Sequence, residues 1–163
     1  MAVVDSCVLI LMSRIGRLSL LKYFKDVVIT PEIYDEVVKE AKGKVGVSEI
    51  EKACRDWIKT YEIKSKKIQG ISRLEGIEKA DTSIILLAEE TNDLLLTNDY
   101  ALIQVARSKG IECYWLTTFL LRLVKEKKIK KKEAKDILFD LVERGMRLNI
   151  EVYATILRKI DEM

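Results

Sequence analysis

"DLLLTNDYALIQVARSKGIECYWLT" (residues 93–117) reads as strand, helix, strand. "DLLLTND" (93–99) is a short apolar run closed by polar residues, the form of a buried strand. Tyr100 to Lys109 is the helix that follows, and Gly110 ends it as a glycine just past a helix end does. "IECYWLT" (111–117) is the next strand. Two strands joined through a helix lie parallel in one sheet, because the crossover returns the chain to the same edge.

The pattern extends towards the N-terminus. Residues 2–5 form an apolar strand, and residues 6–24 read as helical with Gly16 a break point. Val27 to Ile29 is a second strand. Thr30 then offers an N-cap and Pro31 a first helical position. A polar connection, Lys39 to Gly46, precedes a helix over 48–59 and a weak strand at Tyr61–Ile63. Lys64 to Gly76 reads as loop and Ile77 to Thr91 as an amphipathic helix. Everything after Thr118 reads as helical, with three helices and a break at "GMRLN" (145–149). The expectation is an α/β fold: a central parallel sheet of four to five strands with helices on both faces. Residues 1–163 form one domain, with a core at 1–117 and a helical extension at 118–163.

Composition bounds the chemistry. The chain is 48% hydrophobic and 34% charged, with one proline, three cysteines and no histidine. Without histidine, Ser-His-Asp and Cys-His nucleophile systems are excluded, as is imidazole acid–base cleavage of RNA. Zinc sites that need imidazole are excluded too. Cys7, Cys54 and Cys113 form no C-x-x-C pair and read as reduced residues of a cytoplasmic protein. The apolar start has no basic n-region and carries Asp5, unlike a signal peptide. No apolar run is long enough to span a membrane.

Four acids fall at related places. Asp5 ends the first strand and Asp99 closes "LLLTND". Glu36 and Asp81 lie in the first turns of helices. In open parallel sheets, ligands bind beyond the carboxyl ends of the strands. Taken singly, each acid has a plain structural role: Asp5 and Asp99 as N-caps, Asp81 at the positive end of a helix, Glu36 on a solvated face. Taken together, four carboxylates in one crevice repel unless a cation joins them. An oxygen-only set suits Mg²⁺ or Mn²⁺.

The stretches "VVDSCVLI", "VVITPEIYDEV", "ADTSIILLA" and "LLLTNDYALIQVARSKGI" resemble, in order, the motifs of PIN-domain ribonucleases of the VapC-toxin type. The tail resembles a prokaryotic subgroup with extra C-terminal helices. The resemblance implies a PIN-like three-layer α/β/α fold and catalytic acids at Asp5, Glu36, Asp81 and Asp99. Asp5, Asp81 and Asp99 would hold Mg²⁺ or Mn²⁺. Ser6, Thr97 and Asn98 would support them, Asn98 standing where the subgroup often has a second acid. It further implies hydrolysis of RNA phosphodiesters by metal-activated water, a toxin–antitoxin role with a bound antitoxin protein, and a homodimer. The apolar segment "SCVLILM" (6–12) is a candidate contributor to the dimer surface. Alternatives are a PIN protein of RNA processing and a non-catalytic PIN-fold interaction module.

Residues 122–135 carry eight Lys or Arg against two Glu, a local +6 in a chain of net charge +3. A run that basic can follow a phosphate backbone, and Lys130, Lys131 and Lys132 are its candidate RNA contacts. It can equally be a solvated helix end. Two other phosphoryl chemistries fit less well. An aspartyl-nucleophile phosphatase needs a second Asp where Cys7 stands, and no G-x-x-x-x-G-K occurs for a P-loop.

Overall fold

The computed structural model describes residues 1–64 and 76–163. They divide into two compact units, Met1–Cys113 and Tyr114–Met163. The predicted loop at 64–76 lies almost entirely outside the described residues.

The sheet has five strands: β1 (Ala2–Val4), β2 (Val27–Ile29), β3 (Ile58–Thr60), β4 (Leu94–Thr97) and β5 (Cys113–Trp115). Their spatial order is β3-β2-β1-β4-β5. β1 pairs in parallel with both β2 and β4, and β2 with β3. β1 and β2 are buried at every residue. That is why they are continuously apolar: a parallel strand covered on both faces has no solvent side to make polar. From β1 the chain builds outward to β3 on one side, then crosses back to place β4 on the other. The strand order therefore reverses between β1 and β4, which makes the crevice at their carboxyl ends a topological switch point.

Helix α1 is Ser6–Arg14, α2 is Pro31–Tyr34 and α3 is Val47–Asp56; α4 is Lys79–Thr91 and α5 is Tyr100–Ser108. Several boundaries differ from the sequence reading. The helix predicted over 6–24 stops at Arg14; Gly16 turns with φ +65°, and Leu18–Tyr23 forms a 3₁₀ helix. α3 ends three residues early, and the weak strand sits at Ile58–Thr60 instead of Tyr61–Ile63. Ile58 is its buried anchor against β2, while Tyr61 is exposed. The last strand is shortened to Cys113–Trp115 because the next helix already begins at Leu116. The segment 6–12 is not a free apolar face: Val8, Leu9, Leu11 and Met12 are buried in the first unit's own core.

The second unit contains α6 (Leu116–Lys125), α7 (Lys131–Glu143) and α8 (Ile150–Glu162). The three pack on one another. Phe119, Leu123, Leu138, Leu141 and Ile160 are buried on their inward faces. The predicted break at 145–149 separates α7 from α8. Among the described residues no helix is long and apolar enough to cross a membrane.

Candidate active site at the carboxyl end of the sheet

Strand register brings the first pair of site residues together. Val4 pairs with Leu96. The next residues, Asp5 and Thr97, therefore leave the sheet side by side. The Asp5 amide donates to the Leu96 carbonyl at 3.0 Å, which extends the ladder one step past the strand.

Asp5 is only 3% exposed. It occupies the N-cap position of α1, yet its side chain makes no capping hydrogen bond. Its carboxylate instead accepts from Thr97 Oγ1 at 2.7 Å, Cys7 Sγ at 2.8 Å and Ser6 Oγ at 3.3 Å. The donors are themselves held. Thr97 Oγ1 accepts from the Asp99 amide at 3.0 Å, and Cys7 Sγ accepts from the Asn98 amide at 3.3 Å. The ends of β1 and β4 are thus tied by a closed set of donors around one carboxylate, and the plain capping role is absent for Asp5. Burial and the neighbouring Asp5 carboxylate push the Cys7 thiol well above its ordinary value, so it acts here as a donor.

Asp99 is exposed, and its Oδ1 caps α5 by accepting from the Leu102 amide at 2.9 Å. Glu36 is half-buried in a π-helical turn, Asp35–Lys39, that follows α2. The sequence reading had an ordinary helix there; the Glu40 amide reaches back five residues to the Asp35 carbonyl at 2.9 Å. Such one-turn widenings often occur at functional sites. Asp81 lies in the first turn of α4. That turn is fixed by a buried hydroxyl pair, Thr30 Oγ1 to Ser83 Oγ at 2.6 Å, with Ser83 donating to the Ala80 carbonyl.

The electrostatics show which acids share a field. Asp81 is pushed up to about 7, by burial first and then by the charges of Asp5, Asp99, Glu36 and Glu78. Glu36 is also raised, by burial and by Asp5, Glu78 and Glu40, against a lowering hydrogen bond with Ser6. All four predicted acids therefore meet in one field, and Ser6 and Thr97 touch Asp5 directly. Asn98 contributes its backbone amide to Cys7. Lys130, Lys131 and Lys132 lie in the second unit.

Two neighbours escaped the sequence reading. Glu78 precedes α4 and stands three residues before Asp81, a spacing that shares a helix face and was legible. Cys7 carried no signal, because a cysteine beside apolar residues reads as core. Among the described residues, no three Asp, Glu, Cys or His side chains are grouped tightly enough to enclose an ion as they stand. The donor chemistry nonetheless fits a hard divalent cation. It is oxygen-rich and free of imidazole, and its mutual repulsion adds to burial in raising Asp81.

A family model described as a PIN domain matches residues 1–162. The chain belongs to the PIN-domain family. PIN domains are in general nucleases that use divalent metals. Among solved structures, this PIN chain is similar to a domain of a functionally unknown protein from Methanocaldococcus jannaschii. The identity is 30%, over 71% of this chain and 89% of that one, with a TM-score of 0.50. It is also similar to PAE2754 from Pyrobaculum aerophilum, at 21% identity over 76% of this chain and 95% of that one, TM-score 0.55; that likeness speaks for the fold alone. No curated protein matches the chain.

Proposed function

We propose that this PIN protein is a divalent-metal-dependent endoribonuclease acting at the crevice between β1 and β4. The observation that carries the reading is Asp5: a buried carboxylate at a helix N-cap position that does not cap and is held by three side-chain donors. A rigid strand end with locked rotamers is what a ligand position requires. Asp5, Asp81 and Asp99 would hold Mg²⁺ or Mn²⁺, which when bound supplies a more acidic water and neutralises phosphate charge. Thr97 and Cys7 both donate to Oδ2 of Asp5, fixing that oxygen and orienting the other. Glu36, raised by burial, is placed to hold a proton or to orient a water. Asp99 offers a second carboxylate oxygen beyond the one that caps α5.

Purified protein should cleave single-stranded RNA with Mn²⁺ or Mg²⁺ and be inactive in chelator. Equal activity in chelator rejects the mechanism. The toxin role, the antitoxin partner and the homodimer are proposed from the resemblance in the motifs. A neighbouring reading frame for a small DNA-binding protein supports the toxin role, and its absence favours an RNA-processing enzyme. Light scattering that gives one protomer's mass at every concentration rejects the dimer.

A further inference from the structure

Among the described residues, five helices end in the same backbone motif. After α1, α4, α5, α6 and α7, a residue with positive φ sits just past the helix, and two amides turn back onto the last carbonyls. Those residues are Gly16 (φ 65°), Asn92 (φ 54°), Gly110 (φ 75°), Lys127 (φ 56°) and Gly145 (φ 111°). At α6 the Lys127 amide donates to the Val124 carbonyl at 2.9 Å and the Lys128 amide to Leu123 at 2.8 Å. At α7 the Gly145 amide donates to Val142 at 3.1 Å and the Met146 amide to Leu141 at 2.9 Å. Glycine enters the left-handed region freely and asparagine tolerates it, whereas a lysine carries a Cβ that opposes it. Three ends use glycine and one asparagine; the fifth uses lysine.

Lys127 lines a depression of about 920 Å³ in the second unit. Lys125, Lys128, Lys130 and Lys131 line it too, over an apolar floor that includes Ile129. Lys131 donates to the Asp161 carbonyl at 2.8 Å. Lys125, Lys127, Lys128 and Lys130 form no ion pair among the described residues. The nearby acid Glu126 is taken by Arg122 at 3.0 Å, and Glu133 is the acid on the wall. Unpaired ammonium groups around one concavity repel one another, and a backbone conformation that disfavours lysine holds one of them in place. Strain of that kind persists where function requires it.

We infer that this cup is a binding site for the phosphate backbone of single-stranded RNA, separate from the carboxylate cluster. The inference rests on the nuclease reading for the choice of RNA. The proposal regroups the sequence candidates: Lys130 and Lys131 line the cup, Lys132 does not, and Lys125, Lys127 and Lys128 join it.

The test is binding of labelled single-stranded RNA to the full chain, in chelator, across a salt series. Replacing Lys125, Lys127, Lys128 and Lys130 together with Gln should lower the slope of log affinity against log salt by about 0.7 per lost contact. Lys132→Gln should leave the slope unchanged. Lys127→Gly separates site from scaffold: its melting temperature should rise by about 2 °C as strain is relieved, while RNA affinity falls. Four outcomes overturn the inference. They are an unchanged slope in the fourfold variant, an equal loss with Lys132→Gln, a Lys127→Gly variant that binds as wild type, and lysine-dependent binding to anionic phospholipid vesicles without binding to RNA. Chelator removes cleavage from the measurement, so failure of the nuclease reading shows only in the cleavage assay and leaves the slope result standing.

Discussion

Asp5 and Asp99 stand at corresponding places in two strand–helix units, each at the N-cap of the helix that follows its strand. Asp99 caps: it is exposed and its Oδ1 takes the Leu102 amide. Asp5 is buried, caps nothing and is surrounded by Ser6, Cys7 and Thr97 as donors. Position at a strand end therefore does not set a carboxylate's role. What sets it is the neighbouring strand. Thr97 of β4 lies beside Asp5 because β1 is central and pairs with β4, so Asp5 is held from the side. Asp99 follows Thr97 past the end of the same strand, and its Oδ1 is held by the Leu102 amide of its own helix.

The largest expected effect breaks the comparison at Asp5. Asp5→Asn should lower cleavage by more than about 100-fold, beyond what loss of a supporting contact costs. Asn can keep a carbonyl oxygen towards Thr97 and Cys7, so the fold survives. Metal-free melting temperature should hold or rise, because one charge leaves a repelling cluster. Mn²⁺ should raise the melting temperature of wild type by mass action and that of the variant less. A variant that keeps full cleavage and full metal stabilisation removes Asp5 from the mechanism.

Thr97→Val tests the lateral hold. The change removes the donor to Asp5 and the acceptor for the Asp99 amide, and leaves buried groups unpaired. Stability should fall by about 1–3 kcal/mol, and cleavage by about 10–100-fold, as for a partner that orients a ligand. Denaturant titration and rate measurement on the same sample check both. Unchanged rates would show that Asp5 needs no help from β4.

At Asp99 the contrast is sharpened by two variants. Asp99→Ala should cost about 1 kcal/mol through the lost cap, while Asp99→Asn should be nearly silent in stability, since Asn caps as well. If the second carboxylate oxygen of Asp99 serves the site, both variants lose cleavage and only one loses stability. If both cleave normally, Asp99 is a cap and nothing more.

A separate effect is in pH. Asp81 ionises at about 7 in the folded chain against an ordinary 3.8. A carboxyl raised by folding binds its proton more readily in the folded state, so its ionisation opposes folding. Its contribution is neutral below about pH 4 and increasingly unfavourable up to about pH 7. The metal-free protein should therefore lose melting temperature over that window, and Asp81→Asn should flatten the loss. Mn²⁺ should restore stability at the upper end. A wild-type curve as flat as the variant's would place Asp81 outside the shared field.

The sequence by itself determined the parallel sheet, because continuously apolar strands joined by helices leave one way to bury them. It also determined the order of the four acids and the break at 145–149, since polar residues at strand ends and Gly145 past a helix are local signals. It misplaced β3, which is set by pairing with β2 and carries little apolar pattern of its own beyond Ile58. It ran α1 too far, because periodicity continues through Gly16 where the backbone does not. Only the tertiary structure decided which carboxylate is buried, which one caps, and that Cys7 and Glu78 join them. Those outcomes depend on the register of β1 against β4 and on where α4 begins. Both rest on contacts between residues far apart in the chain, 92 positions for Asp5–Thr97 and 53 for Thr30–Ser83, and no local pattern encodes distances of that kind.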